Sequence, residues 1–536
     1  MGCNIKYFWG YTLLIFSILV LYQQDNAAQG PFGDMFGGPP GGGLGGPGGP
    51  PPFDEEIKIL DKFDKDGDKK LNSEERKSAR EYLKNQRVNR FRPRGFPGPG
   101  FAANENSPKT GKKVSISDVK FYPDQPLYAS NIVRTIFIEF ESKDWEKELE
   151  DFHNTDVEIP ARLIVDGKTY NDVGIHFRGS SSYMMVPSGF KRSLTVSMDA
   201  WQKGQNLYGY RTLHLLNAHE DPSFIRSVLF LDIARNYIPA PKANFVRVVI
   251  NGEDWGIYIN QQHINKEFIK EWFASEKGAR WKTPGSPLGR AGLEYRGDNY
   301  SDYKKYYEIK SKEDTNSWNA LIHLCKVLNT TSQTNLIDSL SSILDIDNTL
   351  KFLALEIVFI NNDGYWVRAS DYYIYLDKKG LFHIIPFDAN ETFSYPQGPG
   401  FGFSQSSSYN LDPLIGIDDK TKPLRSVLLS NPDLRRKYLN YVKELAEKWL
   451  DWERVGKIAE FYHSLIDEYV KEDAKKLCAY EEFKNSIDGA IQQNQFRGFQ
   501  RTATIKEFVE KRRKYLLDYK EIKNISISTN TSTGSK

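Results

Sequence analysis

The stretch Asn361-Asn362-Asp363-Gly364 closes an apolar segment with helical spacing, and a hairpin pattern follows it. Asp371-Tyr-Tyr-Ile-Tyr-Leu376 and Phe382 to Pro386 flank Lys379-Gly380, and the return strand runs on into Phe387-Asp388-Ala389-Asn390. A hairpin folds the chain back on itself, so Asp363, Asp371 and Asp388 are expected to converge at one end of it. Three carboxylates gathered in one place are easiest to explain with a cation. Phosphoryl transfer needs a divalent metal to neutralise the triphosphate and a carboxylate to orient the attacking hydroxyl, which matches this inventory. Mg2+ keeps several waters and takes one or two carboxylates, so Asp371 and Asp388 suffice as its ligands and Asp363 is left as the base. Taken singly, Asp363 is better read as capping a turn and Asp388 as sitting in a structural salt bridge, so the case rests on their combination.

Positive groups come from an earlier part of the chain. Arg178-Gly179-Ser180-Ser181-Ser182 stands at a strand end, and Lys191-Arg192 leads the next strand. Small residues let backbone N–H groups approach phosphate while Arg or Lys holds the charge. An ordinary loop with solvated basic residues has the same composition.

These groups need elements to position them. Ile132 to Phe140 is rich in β-branched residues and sets Ile136, Ile138 and Phe140 on one face. Val157 to Val165 turns at Asp166-Gly167 into Tyr170 to Arg178, and Phe245 to Ile250 turns at Asn251-Gly252 into Trp255 to Asn260, both hairpin signals. Pro222 to Tyr237 carries the broad apolar stripe of a helix packed on that sheet. After Ser317 the pattern is mainly helical, with Thr349 to Ile360 and a long series from Asp433 to about Lys520. A strand-rich part followed by a helix-rich part is an architecture that traps a ligand in the cleft between them.

The 536 residues exceed a single core, and 39% hydrophobic with 13% aromatic residues is enough to build a large folded body. With 72 Lys and Arg against 70 Asp and Glu, the net charge of +2 recommends neither nucleic acid nor an anionic membrane as partner. Residues 1–28, with an apolar run from Leu13 to Tyr22 behind Lys6, are laid out as a signal peptide, a signal anchor being the alternative. Export to the cell surface, periplasm or medium is expected either way, with membrane attachment only if the segment is uncleaved. Residues 29–52 are a Gly/Pro-rich tether, residues 89–113 a second linker and residues 523–536 a Ser/Thr-rich tail expected to be disordered. Cys325 and Cys478 are given no role, and whether they pair is left open.

Between the linkers, residues 53–88 carry an acidic loop. Asp64, Asp66, Asp68, Asn72 and Glu75 fall at positions 1, 3, 5, 9 and 12, with the Lys70 carbonyl at 7, which is the EF-hand spacing that surrounds Ca2+ with oxygen. Lys69 occupies position 6, where the sharp turn favours Gly. The flanks, Asp54 to Phe63 and Ser73 to about Asn85, are expected to be helical, and a solvated acidic turn between two helices is the plainer alternative.

Several segments taken together resemble the CotH kinase family. They are Phe177-Arg-Gly-Ser-Ser-Ser182 with Lys191, Ala218 to Arg226, Val248 to Ile264 with its Asn-Gly and Trp-Gly-Ile-Tyr, Asn361-Asn-Asp-Gly364, and Ile385-Pro-Phe-Asp388. The resemblance spans residues 114–522 and implies an α+β, atypical protein-kinase-like fold of two lobes, strand-rich then helical, here with a small EF-hand appendage. It implies a secreted or surface enzyme that uses ATP with Mg2+ or Mn2+ to phosphorylate Ser or Thr of other secreted or surface proteins. By the family pattern Asp388 resembles the metal-binding Asp, Asp363 the catalytic Asp, and Arg178 and Lys191 phosphate contacts. Asp371 stands where many relatives carry Asn, and Gln262 where some carry Glu. Two other classes stay open: a non-catalytic surface adhesion protein on the same fold, and a secreted carbohydrate-active hydrolase with Asp363 and Asp388 as paired carboxylates. The hydrolase, unlike the kinase, would need neither nucleotide nor metal.

Overall fold

The computed structural model describes residues 56–89, 108–285, 290–397, 408–489, 496–497, 500–501 and 503–525. The expected export segment, the first linker, most of the second linker and nearly all of the tail lie outside them. Among the described residues no helix is long and apolar enough to cross a membrane.

The strand-rich part closes on itself. Strands β1 (Arg134–Phe140), β2 (Ile159–Val165), β3 (Lys168–Phe177), β4 (Leu194–Ser197), β5 (Thr212–Leu216), β6 (Ala243–Ile250) and β7 (Glu253–Gln262) form a barrel in the order β1-β2-β3-β4-β5-β7-β6. The sequence signals a strand-rich lobe but carries no mark of this closure. The closing contact is a parallel pairing of β1 with β6, in which Ile136 faces Val248 and Ile138 faces Ile250. The two predicted hairpin turns are present, with Asp166, Gly167, Asn251 and Gly252 all left-handed at φ 51°, 75°, 47° and 75°. That is the conformation two-residue hairpin loops require. Ile136, Ile138 and Phe140 share the barrel core with Leu163, Val196 and Leu213, as the alternation predicts.

The acidic loop and its flanks are packed against this barrel. Helices α1 (Leu60–Phe63) and α2 (Ser73–Asn89) bracket the loop, and Ile59, Leu71, Ala79 and Leu83 join the barrel core. The first helix is shorter than its periodicity suggests. The Ile57 amide bonds to the Asn154 carbonyl at 2.8 Å, and the Ile59 and Leu60 amides bond to Asp156 Oδ1 at 2.8 and 3.0 Å, which holds this stretch extended. Helix α3 (Trp145–Asp151) is gripped on two sides. Arg76 Nε donates to Glu148 at 2.7 Å and Arg80 reaches Asp144 and Asp151 at 2.7 and 2.8 Å. From the other side the Gly189 amide donates to Glu146 at 2.6 Å and Arg192 pairs with Glu150 at 2.6 Å.

Helix α4 (Arg226–Ala234) covers the barrel, starting later than its apolar stripe because Asp221 caps it, accepting from the Arg226 amide at 3.0 Å. Next, α5 (Lys266–Phe273) leads to a small sheet. The predicted hairpin, β10 (Tyr372–Leu376) with β11 (Phe382–Pro386), is its edge pair. The sheet continues through β8 (Ala279–Lys282) to β9 (Glu308–Ile309), giving the order β11-β10-β8-β9. Helices α6 (Thr315–Thr330), α7 (Ile346–Val358), α8 (Pro432–Trp449), α9 (Trp452–Glu472) and α10 (Ile505–Asp518) build the helical part. Their apolar faces form one core with Ile374 and Ile384 of the sheet. Cys325 and Cys478 are separate buried thiols.

Candidate active site

The turn after α7 is built to place Asp363. Ile360 is left-handed at φ 48°, an uncommon state for a β-branched side chain, and it turns the chain out of the helix. Asn361 holds the turn from inside, donating to Glu356 Oε1 at 2.9 Å and to the Asp388 carbonyl at 3.0 Å. Asn362 donates to the Tyr395 carbonyl at 2.9 Å and accepts from the Gln397 amide at 2.9 Å. Two buried asparagines therefore tie the Asp363 turn to the segment after Asp388. Gly364 is required here, because a Cβ would fall 1.5 Å from Glu356 Oε2.

Asp371 and Asp388 stand at the open end of the hairpin, where Tyr372 pairs with Pro386 and the Asp388 amide faces the Asp371 carbonyl at 3.5 Å. Asp371 is left-handed at φ 55°, as is Ala369 at 49°, and a Cβ on Gly285 would lie 3.0 Å from both Asp371 carboxylate oxygens. Backbones held in such states cluster where surrounding structure fixes a site.

The electrostatics confirm that the carboxylates act on one another. Burial, then the Glu391 carboxylate, pushes Asp363 well above the ordinary range, with Arg368 pulling the other way. The proton affinity of Glu391 is raised too, chiefly through burial. Arg368 pairs with Asp363 and approaches Glu391 at 3.7 Å. Burial, then Asp363 and Asp388, likewise raises Asp371, opposed by Lys282 and Arg368. Glu356, buried behind the turn, is pushed from 4.5 up to about 8, chiefly by burial.

Between pH 4.5 and about 8 the native state therefore keeps a proton on Glu356 that the unfolded chain has lost, so stability falls as pH rises through that window. Glu356→Gln keeps an acceptor for the Tyr365 amide, 2.8 Å from Oε2 in the native protein, and removes the titration. The expected result is a melting temperature that declines less steeply across the window than that of the native protein; parallel curves would contradict it.

Of the cations, Arg178 reaches this group. Its guanidinium lies 5.9 Å from the Phe387 ring centre, and its pKa is lowered by burial and restored in part by Asp388 and Asp371. Gln261 of β7 donates to the Phe387 carbonyl at 2.9 Å, bringing the barrel wall to the same point. Lys191 does not share this position. Its ammonium is fully buried and bonds to Asp473 and, at 2.8 Å, to the Ile257 carbonyl, neither of them part of the carboxylate group. Leading a strand did not leave Lys191 solvated, because Asp473 follows α9 into the barrel wall. Gln262 pairs with no lysine side chain either, accepting from the Lys242 amide at 3.1 Å and donating to Glu271 at 2.8 Å.

The structure also adds residues to the site that sequence reasoning passed over: Glu356, Arg368, Glu391 and Lys282. Arg368 and Glu391 follow Asp363 and Asp388 within a few positions, which is a usable signal. Glu356 lies inside an apolar helix, where a lone buried acid is itself conspicuous. Lys282 gave no signal, because its strand is short and lacks alternation.

The comparisons with known proteins agree on one family. The family described as CotH kinase protein matches residues 175–516. Inner spore coat protein H of Bacillus subtilis is 23% identical over 237 residues, covering 44% of this chain and 62% of the relative. Invasin CotH2 of Rhizopus delemar is 24% identical over 362 residues, covering 63% of this chain and 56% of the relative. Invasin CotH7 of the same organism is 23% identical over 370 residues, covering 65% and 57%. The chain thus spans less than two thirds of the length of these relatives. The match of the family across most of the chain, over the same segments that build the carboxylate group, makes this protein a member of the CotH family.

Proposed function

We propose that this protein is an atypical protein kinase of kinase-like, two-lobed architecture, exported from the cytoplasm, that transfers the γ-phosphate of ATP to a Ser or Thr hydroxyl of a secreted or surface protein. The observation that carries this reading is the meeting of Asp363, Asp371 and Asp388 with Arg178 beside Phe387. An all-oxygen donor set of mutually repelling carboxylates suits Mg2+ or Mn2+, and the buried Glu391 Oε2 has no hydrogen-bond partner. Asp371 and Asp388 would hold the metal, which supplies charge neutralisation on the polyphosphate when bound. Arg178 orients a phosphate from the barrel side. Asp363 receives the proton as the substrate oxygen bonds to the γ-phosphorus and the bond to the β-phosphate oxygen breaks, releasing ADP. Its pairing with Arg368 favours the ionised carboxylate that this task needs. Arg368 and Glu391 orient it.

The test is transfer of labelled phosphate from ATP to the protein itself and to a generic acceptor, with Mg2+ or Mn2+. Label transfer supports the kinase; absence of transfer under either metal in folded protein gives way to a non-catalytic adhesion role. That second reading is supported by the name invasin on the Rhizopus relatives, which also favours a surface location.

We also read residues 64–75 as a Ca2+ site of EF-hand type. One carboxylate oxygen each from Asp64, Asp66 and Asp68 lie within 4.8 Å of one another. The Lys70 carbonyl, Asn72 and Glu75 complete the expected ligand set, Glu75 now accepting from the Lys65 and Asn72 amides at 2.8 and 2.9 Å. Lys69 takes the left-handed turn at φ 63°, where Gly would cost about 1 kcal/mol less. Chelation with EGTA is expected to lower the melting temperature more than it lowers turnover, since the loop is packed on the barrel far from the carboxylate group in sequence. Unchanged melting would remove the site from consideration.

A further inference from the structure

We propose that Lys282 is a phosphate-contacting residue, and that Lys282 and Arg178 close on a polyphosphate from the two structural parts that meet at Phe387. This rests on the nucleotide reading above but makes a separate claim about which lysine serves it.

Lys282 is the last residue of β8 and stands opposite Tyr373 in the sheet, two positions from Asp371. The next residue locks the register: the Thr283 amide donates to the Tyr372 carbonyl at 3.0 Å, and Thr283 Oγ1 accepts from the Tyr372 amide at 2.9 Å. The ammonium lies 5.5 Å from the Phe387 ring centre, against 5.9 Å for the Arg178 guanidinium, so both cations converge on the residue that precedes Asp388. Among the described residues neither charged group makes a hydrogen bond or an ion pair. Each is partly withdrawn from water and each lowers the proton affinity of its surroundings: burial, then Arg178, depresses Lys282, while Asp371 partly restores it.

Two neighbouring cations that feel Asp371 and Asp388 only at a distance, with no direct hydrogen bond or ion pair among the described residues, are costly unless an anion satisfies them. The anion has to be multivalent to answer both, and it has to arrive with a divalent cation, because bare phosphate would meet the carboxylates of Asp363, Asp371 and Asp388. A di- or triphosphate carrying Mg2+ meets both conditions. The histidine beside them adds no competing charge: His214, 6.3 Å from Phe387, is held well below the ordinary imidazole range by burial and by Arg178. The division of labour follows from chemistry, with Arg178 offering a planar fork and Lys282 a mobile point charge.

The experiment uses the full chain and two probes, inorganic tripolyphosphate with Mg2+ and ATP with Mg2+, with binding measured by calorimetry and transfer by label. Lys282→Met and Lys282→Gln are each expected to weaken tripolyphosphate binding by about tenfold or more, and Lys282→Arg to recover most of it. Lys304→Met, at an exposed site paired with Glu313, is expected to bind as the native protein does. Two neutral replacements guard against one of them failing to fold. Native-like tripolyphosphate affinity in a folded Lys282 variant, or no tripolyphosphate binding by the native protein, overturns the proposal. Native transfer with an unchanged KM for ATP in the variants sinks the role of Lys282 and leaves the kinase reading standing. Lys282-dependent tripolyphosphate binding without any transfer does the reverse.

Discussion

Replacing Asp388 with alanine is expected to abolish phosphate transfer, a loss of about a thousandfold or more, because on the proposed reading it removes a ligand of the metal that neutralises the polyphosphate. Asp363→Ala is expected to cost as much in kcat by a different route. On the same reading its carboxylate orients the acceptor hydroxyl, so nucleotide binding should survive in Asp363→Ala and fall in Asp388→Ala. Calorimetry with ATP and Mg2+ separates the two. Equal binding in both variants would deny Asp388 a metal, and native turnover in either would remove that residue from the reaction. Asp363 also pairs with Arg368, so Asp363→Asn, which keeps a hydrogen-bonding side chain there, is the control for collapse of the turn.

The largest effect on stability is expected at Asp473. Its carboxylate and the Lys191 ammonium are both fully buried, and removing one partner strands the other. Asp473→Ala should cost about 3–5 kcal/mol, read from denaturant midpoints. The double change Lys191→Met with Asp473→Leu should recover most of that, since an apolar pair of similar volume replaces the ions. Gly256→Ala tests the same contact from a third side. Gly256 has φ 79°, and a Cβ there would lie 2.0 Å from Asp473. A cost under about 1 kcal/mol for Asp473→Ala would mean that the pair is far better solvated than the structure has it.

What was legible in the chain was what local chemistry dictates. Asp166-Gly167, Asn251-Gly252 and Lys379-Gly380 announce their turns, because left-handed residues between β-branched runs have few other uses. The hairpin ending in Asp371 and Asp388 followed from the third of them, and with it the meeting of the three aspartates. Contacts between distant segments left no such trace. The pairing of β1 with β6 joins residues more than a hundred positions apart, and parallel register has no turn to mark it. Lys191 was placed at the wrong site for the same reason: its partner stands 282 positions away. Lys282 was overlooked because Ala279–Lys282 is too short to alternate visibly, although pairing with β10 makes it part of the sheet.

Closure of the barrel has a bearing on how the chain can be divided. The family match begins at residue 175, inside β3, yet the barrel needs β1 and β2, which begin at Arg134. A fragment cut to the family boundary would lose the neighbours on both sides of the gap, leaving β6 with an open edge and β3 without its first half. The start of the family match and the start of the folded barrel therefore differ in this protein. Even a cut at residue 114, where the resemblance begins, is unsafe, since it would leave the buried Glu148 of α3 without Arg76.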